Sequence, residues 1–345
     1  MTSRERVRRC LEFDCPDRVP RDLWLLPAAH LEHGAETVRG LQRRWPSDFT
    51  GVPVGNPALA ALRRGDPYEP GAFTDEWGCT FENLHPGVIG EVKEPFLSDW
   101  SKMEDLRVPE EALSVDVEAV NAFCADSDRF VAGNCCPRPF ERAQFLRGSE
   151  NLYLDLGLDP PELHTLLQTL HEFYCRELEV WVRSDIDRIT FMDDWGTQSA
   201  LLISPAQWRR LFKPLYADYV RIAHEHGKKA FMHSDGHIFD IYEDLIDIGV
   251  DAVNSQLFCM DIERIGAPFA GRITFWGEID RQYVLANGTP RECREAVARV
   301  VRSLYRPEGG VIAQFEFGPG HRPDNADAVF RAWEELTRTV GAEGD

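Results

Sequence analysis

Polar residues able to do chemistry fall in five short clusters, each directly after an apolar run. Asp193-Asp194-Trp195-Gly196-Thr197-Gln198 follows Ile186–Met192, and His233-Ser234-Asp235-Gly236-His237 follows Lys228–Met232. Asn254-Ser255-Gln256 follows Val250–Val253, Gly277-Glu278-Ile279-Asp280 follows Arg272–Trp276, and Glu316-Phe317-Gly318-Pro319-Gly320-His321 follows Val311–Phe315. Burying so many acids, amides and imidazoles is costly unless they are paired or used. His233 and Asp235 alternate along an extended segment, so their side chains project to one side. With His321, and with Glu316 as an alternative, they form a nitrogen-nitrogen-oxygen set able to hold zinc and leave a fourth position open. The same residues serve equally as a metal-free acid–base pair or as mutually satisfied polar groups. Asp193 and Asp194 are neighbours and face opposite ways, so one enters the site while the other caps the next turn. His224 and His226 stand at a helix end before Gly227, where a cation favours the helix dipole, and His164 and His171 read as surface or packing residues.

The apolar runs predict strands, and the segments between them predict helices. Ser204-Pro205 begins a helix reaching about Glu225, Ile238–Ile248 carries apolar residues at three-to-four spacing, and a short helix lies near Met260–Ile265. Thr289-Pro290 caps a helix to about Tyr305, and the last helix runs from about Ala326 to Val340. Upstream, Arg18–Leu25 and Arg129–Gly133 read as strands and Phe73–Phe96 as irregular strands or a hairpin, which brings the count to eight. Pro160-Pro161 starts a helix that turns Leu163, Leu166, Leu167, Leu170, Phe173 and Tyr174 inward. Strands alternating with helices give a parallel sheet with right-handed crossovers. The expectation is an α/β fold, a single (β/α)8 TIM barrel with an N-terminal helical extension, forming one domain over residues 1–345. A doubly wound sheet is the alternative, but no G-x-G-x-x-G follows any strand. In a barrel the polar strand ends share the C-terminal mouth, where such folds place their sites.

The chain has 345 residues, with 58 acids against 38 bases and a formal charge of -20. A surface that neutralises phosphates needs the opposite balance, so neither nucleic acid nor an anionic membrane is an expected partner. No run of 18 apolar residues exists to span a bilayer. The charged start Met1–Arg9 has no apolar core of a signal peptide, and the nine cysteines include no C-x-x-C pair. A cytoplasmic protein with reduced thiols is expected.

The order of motifs is similar to that of the uroporphyrinogen decarboxylase superfamily across nearly the whole chain. The likeness is carried by Cys15-Pro16-Asp17-Arg18-Val19-Pro20, Thr74-Asp75-Glu76-Trp77-Gly78-Cys79, Phe140-Glu141-Arg142-Ala143 and Gly148-Ser149-Glu150. Asp194-Trp195-Gly196-Thr197-Gln198, His233-Ser234-Asp235-Gly236, Phe275-Trp276-Gly277-Glu278-Ile279-Asp280 and Gly320-His321 extend it. The resemblance implies a (β/α)8 barrel. One branch decarboxylates uroporphyrinogen without a cofactor, and Asp75 falls where that branch keeps its pyrrole-binding aspartate. That branch also needs an arginine-glutamine-alanine-glycine-arginine loop after the first strand. Here the stretch is Leu25-Leu26-Pro27-Ala28-Ala29-His30, without the guanidinium partners that eight carboxylates demand.

The other branch moves methyl groups between corrinoids and thiols or methylated compounds, using zinc on a histidine-x-cysteine pair and a later cysteine. His233-Ser234-Asp235 and Pro319-Gly320-His321 occupy those places here, so both cysteines are replaced. A harder ligand set leaves zinc more Lewis acidic, which suits polarising an oxygen or nitrogen leaving group. The resemblance thus implies a corrinoid-dependent methyltransferase acting on a small O- or N-methylated compound, with the corrinoid on a partner protein. Zinc would sit on His233, Asp235 and His321. Asp75, Asp194 and Glu278 would be catalytic, and Trp77, Gln198, Asn254 and Arg142 would bind substrate. A cofactor-free decarboxylase of a smaller carboxylated substrate and a non-catalytic corrinoid- or porphyrin-binding subunit are the other readings.

Overall fold

The computed structural model describes residues 1–342. The apolar runs form strands β1 (Arg21–Leu25), β2 (Phe49–Gly51), β3 (Gly71–Thr74), β4 (Thr80–Asn83), β5 (Glu91–Glu94) and β6 (Phe130–Ala132). They continue as β7 (Arg188–Met192), β8 (Lys229–Ser234), β9 (Ala252–Ser255), β10 (Thr274–Trp276) and β11 (Val311–Phe317). Eight of these pair in the order β1-β11-β10-β9-β8-β7-β6-β2, and all the pairings are parallel. Helices cover the outside, which makes the fold a nearly closed (β/α)8 barrel with a helical N-terminal part. Among the described residues no helix is long and apolar enough to cross a membrane.

The eighth barrel strand is not where the sequence placed it. It is the short Phe49-Thr50-Gly51, too brief to show a period of its own, whereas Phe73–Phe96 contributes a separate antiparallel sheet, β3-β4-β5. The helix expected from Ser204 to Glu225 is two helices, Pro205–Leu211 and Lys213–Glu225. Pro214 explains the break: it has no amide proton to donate, and its ring collides with the carbonyl four residues back. Ile238–Ile248 likewise divides into a tight turn at Phe239–Ile241 and the helix Tyr242–Asp247. The helix Pro161–Trp181 buries Leu163, Leu166, Leu167, Leu170, Phe173 and Tyr174 as its pattern requires.

Strand alternation separates two apolar sets. Val131, Ile189, Phe191, Ala230, Met232, Val253, Phe275 and Phe315 face the helices and belong to the large outer core. Phe49, Phe130, Phe231, Ala252, Trp276 and Ile312 face the barrel interior, with Val7, Cys10 and Leu11 of the N-terminal helix Ser3–Leu11 packed on them. This helix closes the barrel at the N-terminal ends of the strands. The guanidinium of Arg188 lies inside the same layer, 4.4 Å from the rings of both Phe231 and Trp276.

The seam between β1 and β2 is bridged chiefly by Asp48, beside Ser47, whose hydroxyl meets the Arg21 carbonyl at 3.3 Å and the Asp22 carboxylate at 3.2 Å. Asp48 N–H donates to the Arg21 carbonyl at 2.9 Å, and the fully buried Asp48 carboxylate accepts Arg21 N–H at 2.7 Å. The same carboxylate takes the Ser3 hydroxyl at 2.7 Å, Arg6 Nη1 at 2.8 Å and Arg18 at 2.8 and 2.9 Å. The N-terminal helix, the approach to β1 and the entry to β2 are thereby tied at one point.

Candidate active site at the barrel mouth

His233 is two residues beyond Phe231 on β8, so it occupies the next inward-facing level, toward the mouth. β8 and β9 pair His233 with Asn254, and both side chains are buried. Asn254 Nδ2 donates to the Trp276 carbonyl, which has no proton to give, and to Gln314 Oε1 at 2.8 Å. That fixes the amide orientation, so Asn254 Oδ1 must accept from His233 Nδ1, at 2.6 Å. Nε2 is therefore the nitrogen turned toward two carboxylates, Asp194 Oδ1 at 3.5 Å and Asp235 Oδ1 at 3.7 Å. Trp24 stands beside the ring, its centroid 5.3 Å away.

Asp193 and Asp194 divide as neighbours on a strand must. Asp193 is fully buried and accepts the Phe140 and Glu141 amides at 3.0 and 2.7 Å, capping the helix Pro139–Arg147. Tyr216 donates to it at 2.5 Å, and Trp195 Nε1 donates to Tyr216 at 2.9 Å. Burial raises the Asp193 carboxyl well above the ordinary carboxylate range. Asp194 faces the site and accepts the Asp235 amide at 2.9 Å. The loops after β7 and β8 meet backbone to backbone: Gly196 N–H donates to the Asp235 carbonyl at 3.0 Å. A Cβ at Gly196 or Gly236 would run into the other's backbone, so glycine at both positions brings Asp194 and Asp235 together.

Arg281 is the cation of the mouth, and nothing local in the sequence marked it. It pairs with Asp235 Oδ2, with Glu316 at 2.9 Å and with Glu278 at 3.6 Å, reaching three strand ends from one loop. Burial works against its charge, but Glu278, Asp235 and Glu316 outweigh that and raise its pKa. Glu278 is only 3% exposed, and burial pushes its carboxyl well above the usual range despite Arg281. Gln198 is exposed at the rim and accepts the Cys259 thiol at 3.3 Å; both line a small cleft with Glu278 and Arg281.

His321 does not join His233 and Asp235. Its Nδ1 accepts the Gly318 amide at 3.0 Å, and its Nε2, 2.8 Å from the Arg281 carbonyl, must be the protonated nitrogen. Neither nitrogen has a lone pair free for a metal. Glu316 is likewise spent on Arg281. Among the described residues the group able to hold an ion is Asp194, His233 and Asp235, whose donor atoms lie within 4.8 Å of one another. The fit is chemically sound: the imidazole has its remote nitrogen anchored and its near nitrogen free, and Arg281 takes the oxygen of Asp235 that faces away from His233. One nitrogen and two carboxylates suit zinc or a similar divalent ion. Asn254 acts through His233, so its contribution is to position the ring. The expected result for Asn254→Leu is divalent-metal affinity lower by about 10–100-fold, measured by competitive chelator titration.

The remaining predicted residues form a second centre, between the β3-β4-β5 sheet and the barrel. Asp75 opens the turn from β3 to β4, where its Oδ1 accepts the Trp77 and Cys79 amides at 3.0 and 2.8 Å and Gly78 supplies the positive φ. Its other oxygen pairs with Arg142, whose guanidinium lies 5.2 Å from the Trp77 ring. Asp75, Trp77 and Arg142 thus meet one another but stand apart from the His233 cluster. Glu141 lies between the two centres. Burial pushes its carboxyl up to about 7, against the pull of Arg138, while Asp194 adds to the rise. Arg138 and Glu177 went unnoticed in the sequence, and Glu141 was quoted there within a family motif and given no role, because only the packing of the sheet on the barrel brings Arg138 and Glu177 to a cavity.

Residues 74–336 match the family model described as uroporphyrinogen decarboxylase (URO-D). No curated protein sequence matches the chain. Among solved structures, a methyltransferase from Methanosarcina mazei superposes with a TM-score of 0.68 at 16% identity, covering 97% of this chain and 99% of its own. A dihydropteroate synthase from Anaplasma phagocytophilum aligns over 49% of this chain and 71% of its own, at 16% identity and a TM-score of 0.34. At such identities the first likeness speaks for the fold alone, and the second carries no argument.

Proposed function

The chain belongs to the uroporphyrinogen decarboxylase family, and on that premise we propose that it is a methyltransferase that demethylates a small O- or N-methyl compound. The observation that carries this reading is His233: one ring nitrogen is locked on Asn254 and the other is presented between Asp194 and Asp235. These three residues would hold zinc. Bound there, zinc supplies a Lewis acid that polarises the heteroatom losing its methyl group. The methyl acceptor in this reading is a corrinoid on a separate protein.

The chain's own residues do the rest. Asn254 and Gln314 hold the His233 tautomer, and Arg281 keeps Asp235, Glu278 and Glu316 from repelling one another apart. Glu278 would keep its proton, because burial disfavours its charge, and would give that proton to the departing oxygen or nitrogen. Asp75, saturated by two amides and Arg142, serves as a positioning residue for Arg142. That saturation also disfavours the decarboxylase reading, in which Asp75 must itself meet a ring nitrogen, and the arginine-free Leu25–His30 stretch disfavours it again.

The test is methyl transfer from O- and N-methyl compounds to a reduced corrinoid, free or protein-borne, followed by the corrinoid's visible spectrum. Zinc-loaded wild type is expected to methylate it, and Asp235→Ala is expected to fail. Carbon dioxide release from a carboxylated substrate by metal-free protein would instead place the decarboxylase reading first.

A further inference from the structure

The cavity between the β3-β4-β5 sheet and the barrel has a volume of about 330 Å³, at the small end of ligand pockets. Its walls are aromatic: Phe73, Trp77, Phe81, Phe145, Phe173 and Tyr174 all line it. Its charges balance in pairs save one. Asp75 is paired with Arg142, and Glu76 with Arg63 at 2.8 Å. Arg138 is held more loosely: its nearest carboxylate oxygen among the described residues, on Glu141, is 4.0 Å away, and its other polar contact is the Cys136 thiol. Arg142, only 7% exposed, leaves its Nε without an acceptor. The third acid of the lining, Glu177, adds little negative charge, because burial pushes its carboxyl up to about 8 with Glu76 adding to the rise. In a chain of net charge -20 this is a small aromatic cavity holding a guanidinium with no close carboxylate partner.

We propose that this cavity binds a planar, single-ring carboxylic acid, with the ring among the aromatic walls and the carboxylate on Arg138 beside Arg142. Guanidinium and carboxylate pair in a two-pronged geometry, and aromatic faces favour a flat ring over an aliphatic one. A tetrapyrrole is far too large for this volume. Glu141, on the helix that carries Arg142 and that Arg138 immediately precedes, is within electrostatic reach of Asp194 and His233, so the cavity and the His233 cluster are neighbours at the mouth. The use of such an acid as methyl donor rests on the methyl-transfer reading; its binding does not.

Isothermal titration calorimetry on the full chain, with benzoate, para-methoxybenzoate, benzamide and cyclohexanecarboxylate as probes, tests the proposal. Both benzoates are expected to bind, with the neutral amide weaker by about tenfold or more. Arg138→Gln is expected to lose about tenfold for the acids and nothing for benzamide, and Arg138→Lys to recover part of the loss. Equal binding of acid and amide, or an Arg138→Gln protein that is still folded by circular dichroism and binds benzoate as tightly as wild type, overturns it. Benzoate binding without methyl transfer from any methoxybenzoate leaves the cavity assignment standing and retires its link to methyl transfer. Methyl transfer from aliphatic compounds alone, with no benzoate bound, retires the cavity assignment by itself.

Discussion

Wild-type protein offered zinc and then desalted is expected to retain about one ion per chain, and His233→Ala to retain none. The imidazole is the sole nitrogen donor of the cluster, and its free Nε2 is the only donor there whose orientation is fixed from behind by a buried amide. Loss of such an anchoring amide already weakens metal sites by about 10–100-fold, so loss of the ligand itself should exceed that. Asp194 and Asp235 remain in the variant, but Asp235 then has Arg281 as its strongest partner and the two carboxylates face water. The substitution also strands Asn254 Oδ1, a cost of about 1–3 kcal/mol, which a chain of this size should survive. Metal content by inductively coupled plasma mass spectrometry, read beside a thermal melt, separates loss of metal from loss of fold. A folded wild type that takes up no zinc would retire the metal assignment, and the polar mouth would then be acid–base machinery with decarboxylation in front.

Asp48→Ala is expected to destabilise the chain by about 3–5 kcal/mol, the range found when one member of a buried ion pair is removed. The carboxylate is fully buried and accepts from Ser3, Arg6, Arg18 and the Arg21 amide. Arg6 keeps Asp17 as a partner, whereas Arg18 is left with the Val19 carbonyl alone and the Arg21 amide loses its acceptor. Since β1 and β2 are the two ends of the strand order, the damage falls on the seam of the barrel. Asp48→Asn, which keeps an acceptor but not the charge, should lose less. Urea midpoints at constant slope measure both. Asp48 lies at the N-terminal end of the barrel, away from the mouth, so zinc uptake by the folded fraction should be unchanged. A loss under about 1 kcal/mol would mean that the seam is held by other contacts.

Much of the barrel was legible because its signals are local. Proline after an N-cap residue starts a helix, glycine stops one, and an apolar run of strand length between them must be buried; each depends on neighbours within a few residues. The helix Pro161–Trp181 and the strands from β7 to β11 follow from such signals alone. β2 was missed for the opposite reason: three residues carry no period, and Phe49 becomes a strand residue by pairing with Phe130 some eighty positions away. The break at Phe212 lay within reach of the sequence, since Pro214 stands in plain view.

The sequence by itself determined that His233 and Asp235 share one side of a strand, that Asp193 and Asp194 cannot, and that five polar strand ends meet at one mouth. Those statements need only the two-residue repeat of a strand and the parallel direction of a barrel. Tertiary structure alone decided which of these groups touch. It put Asp194 rather than His321 beside His233, because the Gly196 and Gly236 backbones meet without side chains while a local turn and the Arg281 carbonyl claim both nitrogens of His321. It also set Arg281 among three acids and left Arg138 without a close carboxylate in an aromatic cavity. Contacts between loops far apart in the chain depend on how the barrel closes and how the added sheet packs on it, and residue spacing holds no record of either.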